Sequence, residues 1–485
     1  MTARSIGLAF GPLAFALTAL TAAPAGMSGE AWLVAGLVVW VAAWWVTEAI
    51  PLTATALLPF VVLPLSGVMT ARETASAYYA PILFLLLGGA FIALAIERTG
   101  LHRRLSLAIL NAIGTSGGQT RLLLAFMVSA ALLSMLISNT STALIMMPMA
   151  LAVLSAGAGP DLASSSEAVG RQDGLSGALP MGIAFAASIG GLGTIVGSPT
   201  NGIAVALLDD MIGLQISFAD WMFYGLPIVI VGIPIAAWLI AKVQNVAAHP
   251  FDVASARDAI HDDAPWTSAE KRLVPIIAIT FVMWMTQRWV APYLPPNSWT
   301  DGTIAIIAAL TLFLLPDGTK ENGKSRPLLK WDEANRAPWG VIMMFGGGLA
   351  LAAGMQASGL AEWLGNALLP LEAVPLIIVA LAIVAMVVLV TEFASNVATA
   401  SAIIPVVASL AAALGLGEQA ILLAMPAALA ASWGFILPAG TGPNAIAWST
   451  GRLKIQRLVK AGALLDIVGI FLIVFMVWGI AAIAS

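Results

Sequence analysis

Two apolar stretches of this chain, Leu122–Leu154 and Val374–Leu414, are each too long for one membrane crossing, and each is broken near its middle by Ser-Asn. The first carries Ser138-Asn139-Thr140-Ser141-Thr142 and the second Ser395-Asn396. A helix of roughly 20 apolar residues spans the hydrocarbon core. Polar breaks at that depth are costly unless they line a cavity enclosed by protein. These stretches therefore commit the chain to a bilayer. Composition agrees: 60% of 485 residues are hydrophobic and 9% charged, with a mean hydropathy of +0.96. A soluble domain carries about a quarter charged residues.

The apolar runs predict an all-α polytopic membrane protein with about eleven transmembrane helices and two re-entrant hairpins. The run Ile6–Ala23 behind Arg4 is long for a signal peptide and reads as the first span. Spans follow over Ala31–Ile50, Pro51–Val68 and Ala77–Ile96, then an interfacial helix over Leu101–Ile113. Past the first hairpin come a polar loop at 155–175, a helix from Leu179 broken at Gly197–Asn201, and a span over Phe218–Ala241. A charged loop at 245–271, spans near 273–292 and 303–315, a second charged loop at 317–336 and Trp339–Met355 come next. After the second hairpin, a helix from Ala420 breaks at Gly440–Asn444, and Leu464–Ala482 is the last span.

Lysine and arginine set the orientation. With a cytoplasmic N-terminus and both interrupted segments doubling back, 19 of the 21 Lys and Arg residues fall on the cytoplasmic side. Only Arg72 and Arg288 fall outside. If either segment crossed once, everything after it would flip and the asymmetry would collapse. The tally thus predicts a multi-pass protein of the inner membrane with its C-terminus outside.

The chain also repeats itself. FIALAIERTGL at Phe91–Leu101 matches ALAAGMQASGL at Ala350–Leu360, and each lies just after a glycine cluster. The two Ser-Asn breaks follow, each with a proline nine residues beyond the asparagine, Pro148 and Pro405. Breaks ending in Asn201 and Asn444 close the copies. Five spans separate the hairpins, an odd number, so the copies are inverted. The domains expected are 1–113 as scaffold, 120–245 as the first mobile unit, 246–370 as scaffold with an interfacial helix, and 372–485 as the second mobile unit.

Four polar breaks at matching places read as a solute-binding site. Half-helix ends offer N–H groups to anions and carbonyls to cations. For one break, close helix packing would suffice as an explanation. Glu48 and Glu392, in matching Thr-Glu pairs, are either buried network members or ionised cavity groups. His102, His249 and His261 fall in interfacial or loop segments and read as solvated. There is no cysteine. No nucleophile–base set or zinc motif lies in a span, and no basic stripe suits nucleic acid, so an enzyme or nucleic-acid role is not expected. A transporter is expected over a channel, because inverted hairpins suit alternating access.

At these residues the chain resembles the divalent anion/sodium symporter family. The carriers are WWVTEAIP at Trp44–Pro51, SNT at Ser138–Thr140, GTIVGSPTN at Gly193–Asn201, TEFASN at Thr391–Asn396 and PAGTGPNAI at Pro438–Ile446. The resemblance implies an elevator-type Na+ symporter of dicarboxylates, citrate or sulfate, working as a homodimer in membrane lipid. It implies one Na+ site at Ser134, Ser138, Asn139 and Gly197, and another at Thr391, Ala394, Asn396 and Gly440. It places the anion against Asn139, Thr140, Ser198, Pro199, Ser395, Asn396 and Thr441. Val397 replaces a threonine of the pattern, and the Pro-Pro-Asn breaks become Pro-Thr-Asn and Gly-Pro-Asn. A valine offers apolar surface to carbon, which points to a C4 dicarboxylate such as succinate over sulfate. An exchanger of the same fold is the alternative.

Overall fold

A computed structural model describes residues 3–113, 118–157, 172–249, 251–252, 265–321 and 323–484. Most of the 155–175 loop, and the part of the 245–271 loop that holds Arg257 and His261, lie outside the described residues, as does Arg171. Among the described residues, ten helices are long and apolar enough to cross a membrane. Exposed Leu13, Leu17, Ile279, Val282 and Phe475 give their outer faces an apolar surface.

The chain opens with α1 (Ala3–Leu20) and α2 (Gly29–Thr47), which pack on each other. Ser28 starts α2 by accepting a bond from Ala31 N–H. The span expected over Pro51–Val68 is instead two pieces, α3 (Leu52–Thr55) and α4 (Leu58–Leu65). Pro59 explains the interruption, since its ring clashes with the carbonyl four residues earlier. A short helix that was not expected, α5 (Ala71–Ala77), carries a full capping box of Thr70 and Glu73. Helix α6 (Ile82–Thr99) ends at Gly100, whose φ of +79° is left-handed, and α7 (Leu101–Ile113) follows as expected. The second copy repeats this turn. Helix α16 (Trp339–Ala357) ends near Gly359 at φ +80°, and α17 (Leu360–Leu368) follows.

Each interrupted segment is a helical hairpin. The first pairs α8 (Gln119–Ser134) with α9 (Asn139–Gly157), and the second pairs α18 (Leu376–Thr391) with α19 (Asn396–Ala413). Behind each stands a broken helix: α10 (Gly174–Gly190) and α11 (Pro199–Ile212), then α20 (Ile421–Ala430) and α21 (Gly442–Ser449). Both breaks start earlier than expected, at Gly191 and Ala431 rather than Gly197 and Gly440. The motif residues Pro199 and Gly442 are where the second halves begin. Proline suits a first helical turn, where its missing N–H would be unpaired anyway.

Three long helices, α12 (Phe218–Val243), α13 (Ser268–Val290) and α22 (Ile455–Ala484), and the shorter α14 (Asp301–Leu314) complete the bundle. The 317–336 segment, expected as a loop, holds an antiparallel strand pair, β1 (Pro316–Glu321) and β2 (Lys324–Pro327), and a single turn, α15 (Trp331–Ala334). Buried Asp317 holds it in place by pairing with Arg98 of α6 and with Arg326 at 3.1 Å. Packing then crosses between copies. Helix α9 lies against α21 of the other copy, α11 against α19, and α12 against α22.

Candidate functional site

The two hairpin tips carry the same side-chain set. At the first, Ser134 Oγ lies 2.7 Å from Asn139 Oδ1 and 2.7 Å from the Ala187 carbonyl. At the second, Thr391 Oγ1 lies 2.9 Å from Asn396 Oδ1 and 2.8 Å from the Ala431 carbonyl. Ser134 and Thr391 are fully buried at the ends of α8 and α18, and the asparagines open α9 and α19. A hydroxyl has one proton. At each tip, then, one of two short oxygen–oxygen contacts has no proton between its atoms. At the first tip, turning the Asn139 amide brings its nitrogen to 2.7 Å from Ser134 Oγ, 3.1 Å from Ala187 O and 3.2 Å from Gly197 O. Turned the other way, its oxygen joins these three. Clustered oxygens of this kind suit a hard cation.

Around these sets the two copies match again. Thr142 and Thr399, Ser188 and Ser432, and the side-chain oxygens of Asn201 and Asn444 are buried without a hydrogen-bond partner among the described residues. The asparagine nitrogens are used to hold the breaks. Asn201 donates to Gly191 O at 2.7 Å and Thr194 O at 2.8 Å, and Asn444 donates to Leu437 O at 3.2 Å.

Four helix N-termini converge on the same region, those of α9, α11, α19 and α21. Ser138 accepts from Ser141 N–H at 3.1 Å, Ser395 from Ala398 N–H at 3.2 Å and Thr441 from Asn444 N–H at 3.2 Å. Ser198 makes no such cap bond, so its hydroxyl is uncommitted at the start of α11. The copies touch here: a Cβ on Gly442 would lie 2.4 Å from Thr140 Oγ1. Ser138 and Thr140 are exposed, Asn139, Pro199, Ser395, Asn396 and Val397 half-buried, and Ser198 and Thr441 buried. Converging N-termini favour an anion, each with about half a positive charge.

The structure gathers most of the expected residues at the tips but changes the partners. Asn396 meets Thr391, whose hydroxyl also reaches the Ala431 carbonyl, a group the sequence reading did not name, whereas Ala394 and Gly440 lie in the adjoining turn and break. Ala187 was missed in the same way. Glu392 is a buried network member: its carboxylate accepts from Ile436 N–H at 3.0 and 3.1 Å and from Leu437 N–H at 2.9 Å. Glu48 differs, since it is exposed at the end of α2. His102 Nδ1 lies 3.1 Å from Ile96 O, and His249 lies 3.6 Å from Asp173. No cluster of three or more metal-binding His, Cys, Asp or Glu side chains occurs among the described residues.

Glycine makes the first tip possible. A Cβ on Gly191 would stand 2.3 Å from Asn139 Oδ1. Gly191→Ala should therefore displace the amide and raise the cation concentration for half-maximal uptake at least five-fold. Gly213→Ala would meet no atom, though its φ of +66° carries local strain, and should leave that value unchanged. Uptake titrations of the two variants at matched protein levels check this.

Comparison with known proteins gives a consistent picture. A family model described as the sodium:sulfate symporter transmembrane region matches residues 4–484. A protein named sodium-dependent dicarboxylate transporter SdcS from Staphylococcus saprophyticus is 37% identical over 483 residues, covering 98% of this chain and 90% of the relative. The SdcS of Staphylococcus aureus is 37% identical over 482 residues, covering 98% and 91%. Among solved structures, the YdaH transporter of Alcanivorax borkumensis, described as having an unusual topology, superposes with a TM-score of 0.61 at 15% identity, covering 99% of this chain and 98% of that one. At that identity the likeness concerns the fold.

Proposed function

The chain belongs to the sodium:sulfate symporter family, and from that premise we propose that it imports a C4 dicarboxylate such as succinate together with Na+. The observation that carries this reading is the matched pair of oxygen sets at Ser134–Asn139–Ala187 and Thr391–Asn396–Ala431, flanking four helix N-termini. The oxygen sets would take the cations. The N-termini, with Thr140, Ser198, Pro199, Ser395 and Thr441, would take the carboxylates, and Val397 would face the carbon chain. An identity of 37% across 98% of this chain to proteins named for dicarboxylates favours that class over sulfate.

In this reading the interlocked helices of 120–245 and 372–485 move as one elevator-like unit against a scaffold of 1–113 and 246–370, in a homodimer embedded in lipid. Cross-copy packing of α9 on α21 and α11 on α19 supports such a unit. Proteoliposome uptake of labelled succinate, citrate and sulfate under an inward Na+ gradient tests the substrate class. Succinate should be taken up fastest; preferred sulfate uptake would overturn the C4 assignment.

The inner membrane is the proposed location, with the N-terminus cytoplasmic. Cationic ends that the charge tally assigns to one side do meet. Arg452 bonds Ser176 at 2.7 Å, Arg457 bonds the Gln244 side chain at 3.0 Å, and Gln172 bonds Gly451 O at 3.0 Å. Arg288, assigned to the other side, pairs with Asp220 at 2.6 Å. A cysteine at Ser485 should react with an impermeant maleimide only from outside. Labelling from the cytoplasmic side alone would mean that one hairpin crosses the bilayer.

A further inference from the structure

Helix α22 lays one narrow face along the second break. A Cβ on Gly462 would lie 2.4 Å from Phe435 O, and one on Gly469 would lie 1.9 Å from Trp433 Nε1. Trp433 also donates to Leu465 O at 3.2 Å. Between the two glycines, on the same face, stands Asp466. It is 4% exposed, and neither of its carboxyl oxygens meets a donor at bonding geometry among the described residues. The packing sets it against the 433–436 stretch, where the Glu392 carboxyl also lies: a Cβ on Gly434 would stand 3.1 Å from Glu392 Oε1.

Glu392 is already committed as an acceptor, because both of its oxygens take backbone N–H groups of Ile436 and Leu437. Two ionised carboxylates side by side in a buried site are heavily penalised, and an unpaired buried charge neutralises instead. A proton on Asp466, with Glu392 ionised, satisfies both residues. The acid O–H then donates to the carboxylate that holds the break.

The first copy lacks this device. Met135 stands where Glu392 does, and the first break is held by neutral groups: Thr194 Oγ1 bonds Met135 O at 2.6 Å and Trp221 Nε1 bonds Leu192 O at 2.8 Å.

We propose that Asp466 is a positioning residue for the second tip, a neutral acid that donates to Glu392 and so fixes the break that carries the Ala431 carbonyl and Thr441. The cation readout rests on the symport reading; the exchange readout below does not.

The test compares Asp466→Asn with Asp466→Ala in the full-length protein. An amide can still donate to Glu392, and alanine cannot. In proteoliposomes, D466N should keep the Na+ concentration for half-maximal succinate uptake within two-fold of wild type. D466A should raise it at least five-fold, with the rate at saturating Na+ within two-fold. In Na+-free detergent, amide hydrogen exchange at Ile436 and Leu437 should stay slow in D466N and quicken at least ten-fold in D466A. A D466N protein shifted as far as D466A overturns the proposal, as does a D466A protein unchanged in exchange. If D466A fails to insert, D466N decides alone: wild-type values support the donor role, and a five-fold shift refutes it. Loss of Na+ dependence in the wild type would remove the symport reading, while the exchange comparison would still judge Asp466.

Discussion

Asn139→Ala and Asn396→Ala should each yield a protein that folds and inserts normally yet takes up dicarboxylate at less than a tenth of the wild-type rate. Each asparagine sits where three demands meet. It opens a helix, its side chain faces the Ser134 or Thr391 hydroxyl, and through that hydroxyl it is tied to the Ala187 or Ala431 carbonyl. In the proposed site, alanine removes an oxygen from a cation set and a polar group from the anion space at once. No neighbour replaces it. Ser138 and Ser395 are used as helix caps, and Thr142 and Thr399 lie one turn further along. Folding should survive, because both asparagines are only half-buried and alanine is a good helix former. Uptake measured at matched membrane levels decides it, and near wild-type transport by either variant would remove that tip from the site.

What could be read from the sequence followed from how strongly each feature was constrained. The hairpins were legible because a polar pair in the middle of an apolar run too long for one crossing has few solutions in a bilayer. The breaks were read several residues late because Gly197–Asn201 and Gly440–Asn444 are conspicuous punctuation, whereas the chain leaves the helix earlier, at Gly191 and Ala431. The missed carbonyls had a signal. Ala186-Ala187-Ser188-Ile189-Gly190 and Ala430-Ala431-Ser432-Trp433-Gly434 are a further internal repeat, with the oxygen-bearing alanine at the same place in each. Backbone carbonyls leave no side-chain signature, so only the repeat could have revealed them. The strand pair at 316–327 and its Asp317 anchor depend on Arg98, more than two hundred residues away, and no local pattern announces such a contact.

Dicarboxylate uptake should require external Na+, rise with Na+ more steeply than first order, and fail when K+ replaces it. A dianion carries two charges into a site of low dielectric, where an unpaired charge is heavily penalised. Something positive must accompany it whenever the site crosses the membrane. An exchanger could use a fixed cationic side chain, but residues 122–170, 172–241 and 337–451 contain no Lys, Arg or His. Helix N-termini contribute only about half a charge each. In the symport reading mobile cations supply the balance, and the oxygen sets at Ser134 and Thr391 would offer them hard ligands at two separate points. Two such points make a steeper than linear dependence the expected one. Electrical work points the same way. Bringing a dianion into a cell that is negative inside costs about 4.6 kcal/mol per 100 mV, twice the single-charge value. Two Na+ would cancel that cost, and a third would let the membrane potential drive uptake. The measurement is labelled succinate uptake into proteoliposomes in Na+, K+ and choline buffers, with and without unlabelled dicarboxylate inside. Equal uptake in choline buffer whenever dicarboxylate is trapped inside would replace the symporter with an exchanger, and the charge balance would then have to come from the dianion leaving on the same site.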